Sequence, residues 1–208
     1  MSRLLSLAML GVLSTVARAD LVATFDGFTE GDVFDSFSDG GIFFSNVFRH
    51  QDPYTNFAIE DASAGGLGTG FSPPNVLGFG GYLVGPGVAF GAFGGLTFTA
   101  GLARSASLEL WSLPLNMGGN TITLTGYRSG SVVNTDSVTV PNSFSVLHYR
   151  FQLPDDDYDT FKLTSDGPSV QGDSFIDIDN VTVAAVPEPA SMAALGLGVL
   201  ALLRRRRR

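Results

Sequence analysis

The chain reads as an all-β protein built as an antiparallel β-sandwich, and three observations point there. Apolar and polar residues alternate with a period of two in short runs. Twenty-six glycines and ten prolines punctuate the chain between those runs. No interior stretch keeps a helical period through so many breakers. Ten or so short strands of this kind bury their faces best as two packed sheets. Seventeen phenylalanines supply the bulk of a core, and the absence of cysteine leaves packing, metal ions or both to hold it.

The elements follow in order. Residues 1–19 carry Arg3, an apolar run over 4–16 and the A-x-A sequence Ala17, Arg18, Ala19, which predicts a secretory signal peptide cut before Asp20. Residues 21–28, LVATFDGF, open the domain with a strand whose pattern breaks near Gly27. The turn Asp39, Gly40, Gly41 separates strands over 33–37 and 42–47. Phe43 and Phe44 point in opposite directions, so one is expected in the core and the other against a neighbour or loop. A short strand is expected at 57–59, then a Gly-rich excursion over one sheet face from 64 to 95, with a strand at 88–90. Regular strands resume at 96–99, 106–111, 121–127, 131–140, 145–153 and 160–164. The last, 174–183 (SFIDIDNVTV), places Ile176 and Ile178 on one parity and Val181 and Val183 on the other, which predicts a bulge near Asp179 and Asn180.

The charge distribution narrows the partners. Between the two ends, residues 20–186 hold five basic and 19 acidic residues, a net charge near −14. Such a domain is soluble and disfavours nucleic acid and anionic lipid. Catalytic signals are absent: thiol chemistry is excluded, and His50 and His148 begin no recognised metal spacing. No enzymatic activity is expected.

The C-terminus has its own organisation. Val186, Pro187, Glu188 and Pro189 precede 14 uncharged residues (190–203), and Arg204, Arg205, Arg206, Arg207 and Arg208 close the chain. As a helix the uncharged stretch spans roughly 21 Å, short of a ~30 Å hydrocarbon core, which suits transient insertion with the arginines on the cytoplasmic side. This order of VPEP, apolar segment and basic cluster resembles the sorting signal of PEP-CTERM exported proteins. The resemblance implies export with the help of signal peptidase, a pause in the inner membrane, removal of the tail by an exosortase-type protease, and delivery to the cell surface or extracellular matrix. The organisation is then 1–19 signal peptide, 20–185 sandwich and 186–208 sorting tail.

The body bears a fainter likeness. Thr24, Phe25 and Asp26 near its start and Asp179, Asn180 and Val181 near its end resemble paired pieces of carbohydrate-binding-type jelly rolls. A jelly roll is therefore the favoured topology, with a fibronectin- or immunoglobulin-like sandwich as the alternative.

Two kinds of site are candidates. Asp177 and Asp179 share a face that Phe175 starts as apolar, so a cation or hydrogen-bond donors must compensate them. Asp26 joins them if the first and last strands meet, and Ca2+, which takes six to eight oxygen ligands, is the candidate cofactor. Asp155, Asp156, Asp157 and Asp159 read as a solvated loop, since their spacing does not match a twelve-residue calcium loop. Among aromatics, Trp111, Tyr82 and Tyr127 are the candidate carbohydrate-binding residues. A structural or adhesive role toward extracellular polysaccharide follows, with a protein–protein interaction module or an extracellular glycoside hydrolase, which needs a carboxylate pair at a set separation, as alternatives.

Overall fold

The computed structural model describes residues 19–46, 57–61, 71–78, 82–83, 89–91, 95–114, 119–141, 147–166, 170–171, 174–186 and 196. Its strands are β1 (Ala19–Ala23), β2 (Val33–Phe34), β3 (Ser36–Asp39), β4 (Ile42–Asn46), β5 (Phe57–Asp61), β6 (Asn75–Gly78), β7 (Tyr82–Leu83), β8 (Ala89–Gly91), β9 (Leu96–Thr99), β10 (Ala103–Pro114), β11 (Thr121–Arg128), β12 (Ser131–Thr139), β13 (Leu147–Leu153), β14 (Thr160–Ser165), β15 (Val170–Gln171) and β16 (Ser174–Ala185). A seven-stranded sheet runs β13-β10-β16-β6-β5-β2, with β1 also on β16; a six-stranded sheet runs β12-β11-β14-β9-β4-β3; β15-β8-β7 form a third. Every pairing is antiparallel.

The core lies between the two large sheets. On the six-stranded side Phe37, Phe44, Phe98 and Phe161 stand opposite one another on four successive strands. Their rings follow at centroid separations of 5.1, 6.0 and 5.1 Å. Such cross-strand aromatic pairs add about 0.5–1.5 kcal/mol each beyond the area they bury. The next position in the row is Gly126, and the ring of Tyr158 occupies its place: a Cβ there would lie 2.5 Å from the Tyr158 ring. Tyr158 is fully buried, and its hydroxyl donates to the Pro154 carbonyl (2.9 Å) and accepts from Asn134 (2.9 Å). Burial, first of all, raises its pKa. Facing this row, Leu108, Leu110, Phe151, Ile176 and Ile178 close the core from the seven-stranded sheet.

The bulge expected in the last strand is present. Asn180 has a φ of 50°, and the register of β16 against β10 shifts between Ser107 and Glu109, where β16 carries one extra residue. The extra residue reverses the parity, so Ile176 and Ile178 before it and Val181 and Val183 after it all face the core. On its other edge β16 pairs with β6 before the bulge and with β1 after it. Asp179 and Asn180 therefore sit where two strands abut.

Several expectations are corrected. The run 33–37 is not one strand: it breaks at exposed Asp35, where the chain leaves the seven-stranded sheet for the six-stranded one. Phe44 is buried, but Phe43 is 47% exposed, half open to solvent and not packed away under a loop. The excursion from 64 to 95 contains β6, an integral strand whose four residues are all buried. Burial on both faces removes the alternation by which a strand is recognised. β10 and β16 run to twelve residues each, longer than the short strands expected. The opening strand ends at Ala23, before Phe25, whose φ of 60° turns the chain ahead of Gly27.

The signal peptide lies outside the described residues except for Ala19, which opens β1. Of the tail, Val186 and Gly196 are described, and Val186 still donates its N–H to Leu102 (2.8 Å). Pro187, Glu188, Pro189 and the five arginines lie outside. Among the described residues no helix is long and apolar enough to cross a membrane.

Candidate functional site

The end of β1, the segment before β6 and the bulge of β16 converge at one corner. Asp39, in the β3–β4 turn, accepts the N–H groups of Thr24 (3.0 Å) and Phe25 (2.8 Å), fixing the left-handed turn after β1. Gly40 allows that approach, since a Cβ there would fall 1.8 Å from the Val22 carbonyl oxygen. The turn presents Asp26, which accepts the N–H of Asn75 (3.2 Å), while the Asn75 amide donates to the Phe28 carbonyl (2.8 Å). Across the corner, Oδ2 of Asp179 accepts the N–H (2.5 Å) and hydroxyl (3.0 Å) of Ser72, and Oδ1 accepts the N–H of Asn180 (2.7 Å).

The first and last strands do pair, and the charge of Asp26 is felt at Asp179. Asp179 is fully buried, and its pKa is pushed up to about 6. Desolvation is the largest cause, the charge of Asp26 adds to it, and the Ser72 and Asn180 hydrogen bonds oppose it. Asp177, 4% exposed, lies on the same face. Hydrogen-bond donors are therefore the compensation the structure supplies to Asp179. Among the described residues no group of three or more His, Asp or Glu side chains is placed to hold a metal ion. Two adjoining carboxylates fall short of a calcium ligand set.

Along the same outer face of the seven-stranded sheet, Glu109 meets His148 Nε2 (3.2 Å) and Arg150 (3.5 Å). The ring of Phe71 lies 5.5 Å from that of His148. Trp111 stands between His148 and Asp177 in the register. It is 5% exposed, and its buried indole N–H has no acceptor among the described residues. The segment bearing Phe71 and Ser72 crosses the face to which Trp111 belongs.

The three candidate aromatics lie in three different sheets. Trp111 is in the seven-stranded sheet, Tyr127 in the six-stranded one, and Tyr82 in β7 of the third, its side chain outside the described residues. Tyr127 faces outward with the Lys162 ammonium 5.0 Å from its ring centroid. The acidic loop is occupied structurally, since Arg104 bridges Asp155 (2.8 Å) and Asp157 (2.6 Å) and Asp159 accepts the Ser129 N–H (2.6 Å). His50 lies outside the described residues. Asp39 was legible only as a turn residue, and Ser72, Asn75 and Glu109 escaped the sequence reading because their partners lie far off in the chain. Only Glu109 left a signal, its alternation with Leu108 and Leu110.

The fold defines the class first: a jelly-roll-like antiparallel β-sandwich. Over 81% of this chain and 99% of the other, it is similar to the K2 cleaved adhesin domain of Lys-gingipain, with a TM-score of 0.51 and 10% identity. The K1 adhesin domain of Lys-gingipain from Porphyromonas gingivalis W83 covers the same shares, with a TM-score of 0.48 and 11% identity. TmCBM61 in complex with beta-1,4-galactotriose scores 0.37 at 10% identity, covering 70% of this chain and 88% of its own. At such identity the first likeness establishes the fold and no more, and the other two superpose too loosely to add to it. No curated protein matches the sequence. More particularly, the chain carries a PEP-CTERM protein-sorting motif at residues 185–208, which marks it for export.

Proposed function

We propose that this protein is exported and, as a surface or extracellular-matrix component, binds extracellular polysaccharide in a structural or adhesive role. The observation that carries this reading is the PEP-CTERM motif attached directly to a sandwich with the fold of an adhesin domain. The signal peptide is removed on export, the tail pauses in the inner membrane, and an exosortase-type protease releases the domain. Binding rather than catalysis is the task this reading assigns, supported by a fold shared with an adhesin domain.

Calcium assists in this proposal by relieving the repulsion between Asp26 and Asp179. The raised pKa of Asp179 supports a gain from a cation there, although the described residues supply two carboxylates and not a closed ligand shell.

Fractionation of the producing cell tests the reading. The expected result is a protein in the extracellular fraction, lacking the C-terminal tail by mass spectrometry and freed by enzymatic digestion of the polysaccharide. Intact, cell-internal protein would overturn it.

A further inference from the structure

The outer face of the six-stranded sheet has a composition unlike the rest of the molecule. One row crosses all six strands in direct register: Ser36, Ser45, Thr97, Lys162, Thr125 and Thr135. In the neighbouring rows Thr123 stands between Thr164 and Ser137, and Thr121 opposite Thr139. The outward positions that are neither Ser, Thr nor Lys162 are Phe43, Tyr127 and Val132, and no carboxylate is among them. Phe43 and Val132 are 47% and 59% exposed, Thr97 and Lys162 are half-buried, and Thr125 beside Lys162 is buried, so the accessible hydroxyls near Lys162 are those of Thr97, Thr123 and Thr164.

We infer that this face binds an acidic polysaccharide, with Lys162 receiving a carboxylate of the polymer and the flanking hydroxyls pairing with its sugar hydroxyls. The inference rests on the polysaccharide-binding reading above and names its surface and ligand chemistry. Ser and Thr hydroxyls both donate and accept, as sugar hydroxyls do. Strands about 4.8 Å apart present them at close to the spacing of pyranose units. Each such bond adds little net in water, so affinity comes from a polymer engaging many at once.

Charge selects the acidic ligand. With 19 acidic residues against five basic ones between positions 20 and 186, the domain repels a polyanion over most of its surface. Among the described residues no outward strand position of this face is a carboxylate, and at its centre is the one lysine of the whole sequence. Among the described residues Lys162 forms no ion pair, and its Nζ lies over the Tyr127 ring.

Affinity electrophoresis of the exported protein, in gels containing alginate or dextran, tests the assignment, with circular dichroism confirming that each variant is folded. The expected result is retardation by alginate, weakened about fivefold to tenfold in apparent Kd by Lys162→Gln. Lys162→Arg should restore it, Thr123→Asp should lose it, and Arg150→Gln on the opposite sheet should keep it. Equal retardation of Lys162→Gln and wild type overturns the inference. If Arg150→Gln then abolishes binding, the polysaccharide reading stands on the other face. Retardation by dextran alone removes the acidic ligand while sugar binding survives. If neither these polymers nor the cell's own polysaccharide retards the protein, both readings fall.

Discussion

Ser72 and Asp179, 107 residues apart in the chain, are joined by two hydrogen bonds to one carboxylate oxygen, from the backbone N–H at 2.5 Å and the hydroxyl at 3.0 Å. This pair ties the segment before β6 to the bulge of the last strand. It also sets Asp179 beside Asp26, so the corner combines a structural clasp with concentrated negative charge.

Removing the clasp has a defined cost. Asp179→Ala strands a part-buried N–H of Ser72 and is expected to destabilise the fold by about 1–3 kcal/mol in urea denaturation. A change within a few tenths of a kcal/mol would show that the clasp is dispensable.

The same carboxyl gives a pH signature. Its folded pKa of about 6 lies above the ordinary 3.8, so between these values the folded state holds a proton that the unfolded state has released. The resulting stabilisation is full below about pH 4 and is lost as pH rises through about 6. Stability of wild type relative to Asp179→Asn should therefore fall from pH 4 to pH 7, by at most about 3 kcal/mol. A flat difference would contradict the burial of a charged Asp179. Calcium bound at the corner would stabilise more at pH 7.5 than at pH 5, since it competes with that proton.

Gly126 is required by its neighbour. Gly126→Ala drives a methyl into the Tyr158 ring and is expected to cost about 1–3 kcal/mol, whereas Gly27→Ala, with open space around it, is not. Thermal melts of both variants check this; equal melting temperatures would mean that Tyr158 shifts freely.

The phenylalanine row bears more of the core. Phe98→Ala, between Phe44 and Phe161, is expected to lose about 3–5 kcal/mol, read as a lower denaturation midpoint with an unchanged slope.

Much of the architecture was legible because local pattern and global fold agree. The strand β9 occupies the residues its alternation marks, and the parity switch from Ile178 to Val181 located a bulge before any pairing was known. The shared face of Asp177 and Asp179 followed from their spacing of two. What escaped depends on pairing at a distance. β6 shows no alternation because both its faces are covered. Nothing near Asp179 announces Ser72. Trp111 reads as a face residue, but alternation is blind to what crosses that face. The row from Ser36 to Thr135 is scattered over a hundred positions of sequence and exists only once six strands are in register.

The most direct measurement is cosedimentation of the exported protein with the producing cell's own purified polysaccharide, in calcium and then in chelator. Saturable binding is expected in calcium and weaker binding in chelator, because Asp26 and Asp179 lose the ion. A folded protein that stays in the supernatant in both conditions would contradict the proposed function.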